Sequence, residues 1–351
     1  MSQKNTQNDF VKTAVLAVGA GALLAAAGAI AKMTRQRRIS LSGKTVLITG
    51  GSRGLGLILA RLVSAEGARV ALCARNADEL ARAKTDLIGR GAREADVQTF
   101  VCDVSDAHSI GQTVEAVQSV FGNVDVLINN AGTIQVGPME SMTEADYIEA
   151  FAIHFWAPYR FVEAVLPAMR QRGEGRIVNI SSIGGLVRVP HLLPYCASKS
   201  ALVGYSEGLR AELLRSGIFV TTVCPGLIRT GSPRNAFFKG QNVQEYAWFK
   251  LGDSLPFVSQ SADAAGAEII AALKNGDAFV VTSLPAKQMA LAHGIFPGAV
   301  ADALGVVNTF LPEPGGIGTQ RKTGRESEGA VSLSPLTALT ERAAADNNQI
   351  T

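Results

Sequence analysis

Seven short apolar runs recur along the chain, separated by stretches whose apolar residues fall at helical spacing. The runs are Lys44 to Thr49, Arg69 to Ala74, Val97 to Cys102, Val124 to Ile128, Gly175 to Ser182, Ile218 to Cys224 and Ala278 to Val281. Near-continuous apolar strands are buried on both faces, and strands alternating with amphipathic helices form parallel sheets. The intervening helices are read at Leu57 to Gly67, Asp78 to Arg90, Ala107 to Phe121, Ala145 to Gln171, Tyr195 to about Ser216, and Ala262 to Leu273. The pattern predicts an α/β domain with a doubly wound parallel sheet.

The ends of the chain follow different rules. Thr13 to Ala31 is an uncharged run of 19 residues, about 28 Å long as a helix against a bilayer core of about 30 Å. It reads as a membrane anchor, a cleaved export signal ending at Ala29-Ile30-Ala31, or a soluble or lipid-surface helix. Lys32, Arg35, Arg37 and Arg38 follow it, whereas Lys4, Lys12 and Asp9 precede it, so a single-pass anchor would leave the body on the cytoplasmic side. A plain cytoplasmic location is the alternative. Beyond the last strand, Pro285 to Phe310 is apolar but too broken by glycine and proline to span a bilayer. It suits a cap over the site, a subunit contact or a lipid interface. From Pro312 the composition turns polar, predicting a mostly extended tail with one short helix at Pro335 to Ala345. The expected division is 1–40 for the hydrophobic segment and its basic flank, 41–283 for the α/β domain and 284–351 for the extension.

Composition narrows the function. With 47% hydrophobic and 18% charged residues the chain can bury a sizeable core, and its net charge of +3 is dispersed, with no footprint for nucleic acid. Cys73, Cys102, Cys196 and Cys224 are isolated and read as core residues in a reducing compartment. The four histidines share no ligand spacing, so no metal site is expected.

The chemistry lies at the carboxyl ends of the strands. Gly50, Gly51, Ser52, Arg53, Gly54, Leu55 and Gly56 join the first strand to its helix, and such a turn offers helix N–H groups to a pyrophosphate. After the second strand, Arg75 stands where an acidic residue would bind a ribose 2′-hydroxyl. Together with Arg53 it suits a 2′-phosphate, pointing to NADP(H). Asp103 and Val104 are placed to meet an adenine edge, and Asn129, Ala131 and Gly132 to contact cofactor and scaffold the site. Ser182 ends a strand, and Tyr195 and Lys199 lie one helical turn apart on one face. An ammonium roughly 4 Å from a phenol stabilises its anion by about 4 kcal/mol at an effective dielectric of about 20.

Thr49 to Gly56, Asn129 to Gly132, Ser182, Tyr195 to Lys199 and Pro225-Gly226 occur in one order and at one set of spacings. Together they resemble the short-chain dehydrogenase/reductase family over about Leu41 to Val281. The resemblance implies a Rossmann-type sheet of about seven parallel strands and hydride exchange between a nicotinamide and an alcohol or carbonyl. It implies Tyr195 as general acid or base, Ser182 holding the carbonyl oxygen, and Lys199 binding the nicotinamide ribose and lowering the tyrosine pKa. It places Pro225 and Gly226 in the nicotinamide loop, Thr230 near the carboxamide or the pyrophosphate, and Gly231 to Pro256 as a substrate lid. Phe237, Phe238, Tyr246, Trp248 and Phe249 in that lid suggest a small lipophilic carbonyl or alcohol substrate, or else packing against the body. A homodimer or homotetramer is the family's habit. The chain departs from the family at His154, where an asparagine commonly holds a water; a proton-relay role with added pH sensitivity is expected there. The rival from another class is a catalytically idle nucleotide-binding scaffold or redox sensor at a membrane.

Overall fold

The computed structural model describes residues 37–255 and 257–350. The run Thr13 to Ala31, and with it the expected anchor, lies outside the described residues. Among the described residues no helix is long and apolar enough to cross a membrane.

Strands β1 (Thr45–Thr49), β2 (Arg69–Ala74), β3 (Val97–Val101), β4 (Val126–Asn129), β6 (Gly175–Ile180), β7 (Ile218–Cys224) and β11 (Phe279–Val281) form one sheet. Their order is β11-β7-β6-β4-β1-β2-β3, and every neighbouring pair is parallel. Helices α1 (Gly54–Ala65), α2 (Ala77–Gly89) and α8 (Ala262–Asn275) cover one face; α3 (Ala107–Phe121), α5 (Ala157–Arg172) and α6 (Leu193–Leu213) cover the other. The pleat explains how one strand serves both layers. Val46 and Ile48 pack among Leu57, Val63 and Ile269, while Leu47 between them packs among Val114, Phe161 and Val165. The strand order reverses at β1 and β4, whose carboxyl ends flank the crevice where open α/β sheets bind ligands.

The helix expected over Ala145 to Gln171 is interrupted. It comprises α4 (Glu144–Phe151), a π-helical turn (Ala152–Trp156) and α5. Such turns insert a residue into the helical ladder and recur at functional sites. Here the turn carries His154 inward.

Small elements build the rim above the strand ends. Strand β5 (Gln135–Val136) pairs with β9 (Phe237–Phe238), and β8 (Leu227–Arg229) with β10 (Ser259–Ser261). Helix α7 (Asn242–Ser254) lies in the lid. Helices α9 (Leu284–Ile295) and α10 (Pro297–Asn308) project from the body with only Ala286 buried between them.

The expected extended tail is instead folded down. Strand β12 (Lys322–Thr323) pairs antiparallel with β9, and α11 (Ala338–Asp346) packs on α7. Ser327, Ser332, Thr340, Ala344 and Gln349 are buried. The small polar residues that gave the segment its disordered composition hydrogen-bond buried groups of the lid: Asn242 donates to Ser327, and Lys250 to the Ser332 carbonyl.

Candidate active site

Ser182 follows β6 in extended backbone and turns the chain into a short 3₁₀ segment, its Oγ accepting the Gly184 N–H at 3.1 Å. Tyr195 lies in the first turn of α6, with Lys199 one turn further on. The Ser182 side chain is near enough to the phenol to pull its pKa down, and the Lys199 Nζ stands 5.8 Å from the tyrosine ring centroid. The three groups therefore converge at the carboxyl end of β6. Their protonation differs from the reading above. Burial pushes the Tyr195 phenol up to about 12, against the pull of Ser182, and burial brings the Lys199 ammonium down to about 8. Lys199 donates to the Ile180 carbonyl at 2.7 Å. Desolvation is the largest cause of both shifts.

His154 is fully buried. Its Nε2 accepts the Thr133 N–H at 3.1 Å, which places the proton on Nδ1, 2.7 Å from the Ser198 Oγ. Ser198 in turn donates to the Pro194 carbonyl. Burial, with the Lys199 charge adding to it, holds the imidazole well below its ordinary pKa. His154 is thus a neutral bridge between the segment after β4 and the active-site helix. The charge switch expected of it does not fall near neutrality, because the ring is fully buried and both nitrogens are bonded.

The glycine turn closes tightly on itself: a Cβ on Gly56 would stand 2.1 Å from the Gly50 carbonyl oxygen. Gly50 and Gly54 adopt positive φ of 64° and 56°. Asn130 braces the turn from β4, its amide donating to the Thr49 and Gly50 carbonyls at 3.0 and 3.2 Å. Ala131 is tied in by its N–H to the Thr49 Oγ1, and a Cβ on Gly132 would touch the His154 ring at 3.4 Å. The Asn129 side chain faces Asn179 on β6 at 2.9 Å, inside the sheet. Its Nδ2 donates there, a strut between strands.

The basic residues are partly engaged. Arg53 pairs with Glu79 at 3.2 Å, and Ser52 donates to the same carboxylate at 2.9 Å. Sequence reasoning missed Glu79, whose signal was an acid in the first turn of the helix after β2. Arg75 is exposed and close enough to act on both Arg53 and Asp103. The Ser105 N–H and hydroxyl, with Arg75, hold the Asp103 carboxyl below its ordinary range. Val104 is buried in the α3 layer. The Pro225 carbonyl accepts the Ile183 N–H at 2.7 Å, and a Cβ on Gly226 would stand 2.7 Å from the Ser283 hydroxyl. Thr230 is buried against the glycine turn, its Cβ 3.9 Å from where a Cβ of Gly54 would be.

The lid aromatics are largely turned inward. Phe238, Tyr246 and Phe249 stack edge to face and pack on Val136, Leu192 and Cys196, leaving Phe237 and Trp248 half-buried. His191, four residues before Tyr195 with φ 63°, meets the fully buried Glu245 at 2.7 Å, and Trp248 donates to the same carboxylate. This tie between active-site loop and lid had no sequence signal, since its partners are 54 residues apart.

The family model described as "short chain dehydrogenase" matches residues 44–238. The chain is 33% identical to 17-beta-hydroxysteroid dehydrogenase 13 of Rattus norvegicus over 205 residues, 57% of this chain and 67% of that one. A short-chain dehydrogenase from Streptomyces avermitilis superposes with a TM-score of 0.64 at 30% identity, covering 76% of this chain and 99% of that chain. L-Sorbose reductase from Gluconobacter frateurii, solved with NADPH and L-sorbose, gives a TM-score of 0.61 at 25% identity, covering 70% and 97%.

Proposed function

Because the chain belongs to the short-chain dehydrogenase family, whose members are nicotinamide-dependent oxidoreductases of alcohols and carbonyls, we propose that it reduces a ketone or aldehyde of a lipophilic molecule with NADP(H). The observation that carries this reading is the convergence of Ser182, Tyr195 and Lys199 at the strand ends beside the glycine turn. The hydroxysteroid dehydrogenase, by its name, supports the apolar substrate, and the reductase solved with NADPH supports the cofactor.

The turn suits a dinucleotide on its own chemistry. The Gly54 N–H, at the start of α1, already holds a carbonyl oxygen, that of Asn347 at 2.9 Å, an acceptor of the kind a phosphate oxygen presents. Arg75, with Arg53 if it leaves Glu79, would receive a 2′-phosphate, and Asp103 and Val104 the adenine. Lys199 would bind the ribose hydroxyls, and Thr230 would lie along the pyrophosphate. When bound, the reduced nicotinamide supplies the hydride.

The residues of the chain supply the rest. The Ser182 hydroxyl orients a carbonyl oxygen, and Tyr195 gives it a proton. A phenol near 12 is fully protonated at neutral pH, as a donor in reduction must be. Positioned proton transfer of this kind is worth about 10²- to 10⁴-fold. Lys199, charged below about 8, then stabilises the phenolate left behind. Trp248 and Phe237, the latter under the Arg321 guanidinium at 4.4 Å, are the half-buried lid aromatics that would offer a lipophilic surface. Tyr195→Phe should abolish NADPH oxidation across a panel of apolar ketones and aldehydes while nucleotide binding persists. Turnover retained by that variant would overturn the assignment.

A further inference from the structure

The last residues of the described chain fill the gap between the glycine turn and the Thr230 loop. Asn347 O occupies the Gly54 N–H at 2.9 Å. The Gln349 amide nitrogen lies 2.6 Å from where a Cβ of Gly54 would stand, with the Thr230 Cβ 3.9 Å from the same point. Asn348 donates to the carbonyls of Ser52 and Glu79 at 2.8 and 3.1 Å and accepts from the Arg82 Nε at 2.8 Å. Arg61 of α1 holds Asn347 and the Asp346 carbonyl at 3.0 and 2.8 Å. Gly231 leaves space for Ala344, whose Cα lies 2.3 Å from where a Cβ on that glycine would project. The packing is close, and Asn347 and Gln349 are buried by it.

Resting on the cofactor reading above, we propose that residues 344–349 are an autoinhibitory strap, which occupies the phosphate-binding groove and must leave it before the dinucleotide enters. A single N–H cannot serve both Asn347 and a phosphate, and the space beside Gly54 holds the Gln349 amide. The strap also reaches the lid, where Asn235 donates to the Gln349 Oε1 at 2.6 Å. Releasing it for the cofactor therefore frees one edge of the lid, which orders the events: nucleotide first, substrate second. Linkage makes the competition reciprocal, so cofactor and docked strap exclude one another to the same extent.

The test uses the full chain and Asn348→Ala/Gln349→Ala, which leaves α11 packed on the lid. NADPH is titrated by fluorescence, and hydrogen exchange of residues 343–350 is followed with and without it. The double variant should bind NADPH about tenfold more tightly, the factor by which a strap docked nine-tenths of the time lowers apparent affinity. In the parent chain, saturating NADPH should strip protection from 344–350. A chain ending at Thr337 gives a second form. Equal affinities in parent and variants, with strap protection unchanged at saturation, would overturn the strap alone. Absence of NADPH and NADH binding in every form would overturn the cofactor reading, and the strap with it.

Discussion

The imidazole of His154 stands edge-on to the Tyr195 ring, with centroids 5.4 Å apart and planes 88° apart, while its Nδ1 meets Ser198 one turn along the same helix. The histidine thereby fixes the helix that carries the proton donor without touching the phenol oxygen. Asparagine can supply both an acceptor for Thr133 and a donor for Ser198. His154→Asn should therefore retain most of the activity and leave the pH–rate profile between 5.5 and 7.5 (about the span over which an ordinary histidine titrates) unchanged. His154→Leu strands the Thr133 N–H and should cost about 1–3 kcal/mol of stability by denaturant unfolding. A profile that loses a step near neutrality in His154→Asn would show that the imidazole does titrate.

Lys199 carries its own pH signature. Its ammonium is at about 8 in the folded chain and about 10.4 when unfolded, so between those values the unfolded state binds more protons. Unfolding free energy should rise with pH across that window, by on the order of 3 kcal/mol from this group. Lys199→Met should lack that slope. Urea unfolding of both forms at the two ends of the window is the comparison; equal slopes would count against a buried, depressed ammonium.

The strap and lid meet at a titrating carboxyl. Burial raises Asp253 to about 7, opposed by the Thr340 hydroxyl bond at 3.2 Å and by Arg229, while Tyr246 lies close by on the same helix. A carboxyl raised on folding stabilises fully below its unfolded value, about 3.9, and that contribution is lost as pH rises through about 7. Protection of residues 338–349, corrected for intrinsic exchange, should be greater at pH 6 than at pH 8 (roughly one unit either side of the transition). Asp253→Asn should abolish the difference. A difference that survives in the variant would place the titration elsewhere.

The pairing of Arg53 with Glu79 leaves Arg75 as the freer cation at the mouth of β2. Arg75→Ala should lower the NADPH-over-NADH preference about tenfold, the worth of one charge-assisted contact to a phosphate. Glu79→Gln, which releases Arg53 and Ser52, should raise it. Isothermal titration with both nucleotides separates these outcomes, and an unchanged ratio in both variants would move the specificity determinant to other residues.

The sheet and the three site groups were legible because their signals are local. Runs such as VLI in β1 and β4 are apolar on both faces, and Tyr195 and Lys199 declare a shared helix face by spacing alone. What escaped depends on contacts between distant segments. Asn348 binds the Ser52 carbonyl across 296 positions, and no periodicity in a polar tail announces which backbone groups it will find. The lid aromatics were legible as composition, but the inward turn of Phe238 and Tyr246 is set by Val136 and Leu192 from other parts of the chain. The direction of the tyrosine pKa escaped for a related reason: its largest cause is burial, which the sequence does not display.

Arg37, the first described residue, sets its guanidinium over Phe219 at 5.4 Å while Arg176 donates to its carbonyl, and Ile39 bonds the Lys274 carbonyl. Phe219 and Arg176 begin β7 and β6, so the polypeptide joins the body at the pole opposite Ser182 and Tyr195. The entry of the described chain and the doorway proposed for nucleotide and substrate therefore lie at opposite ends of the strands, and neither obstructs the other.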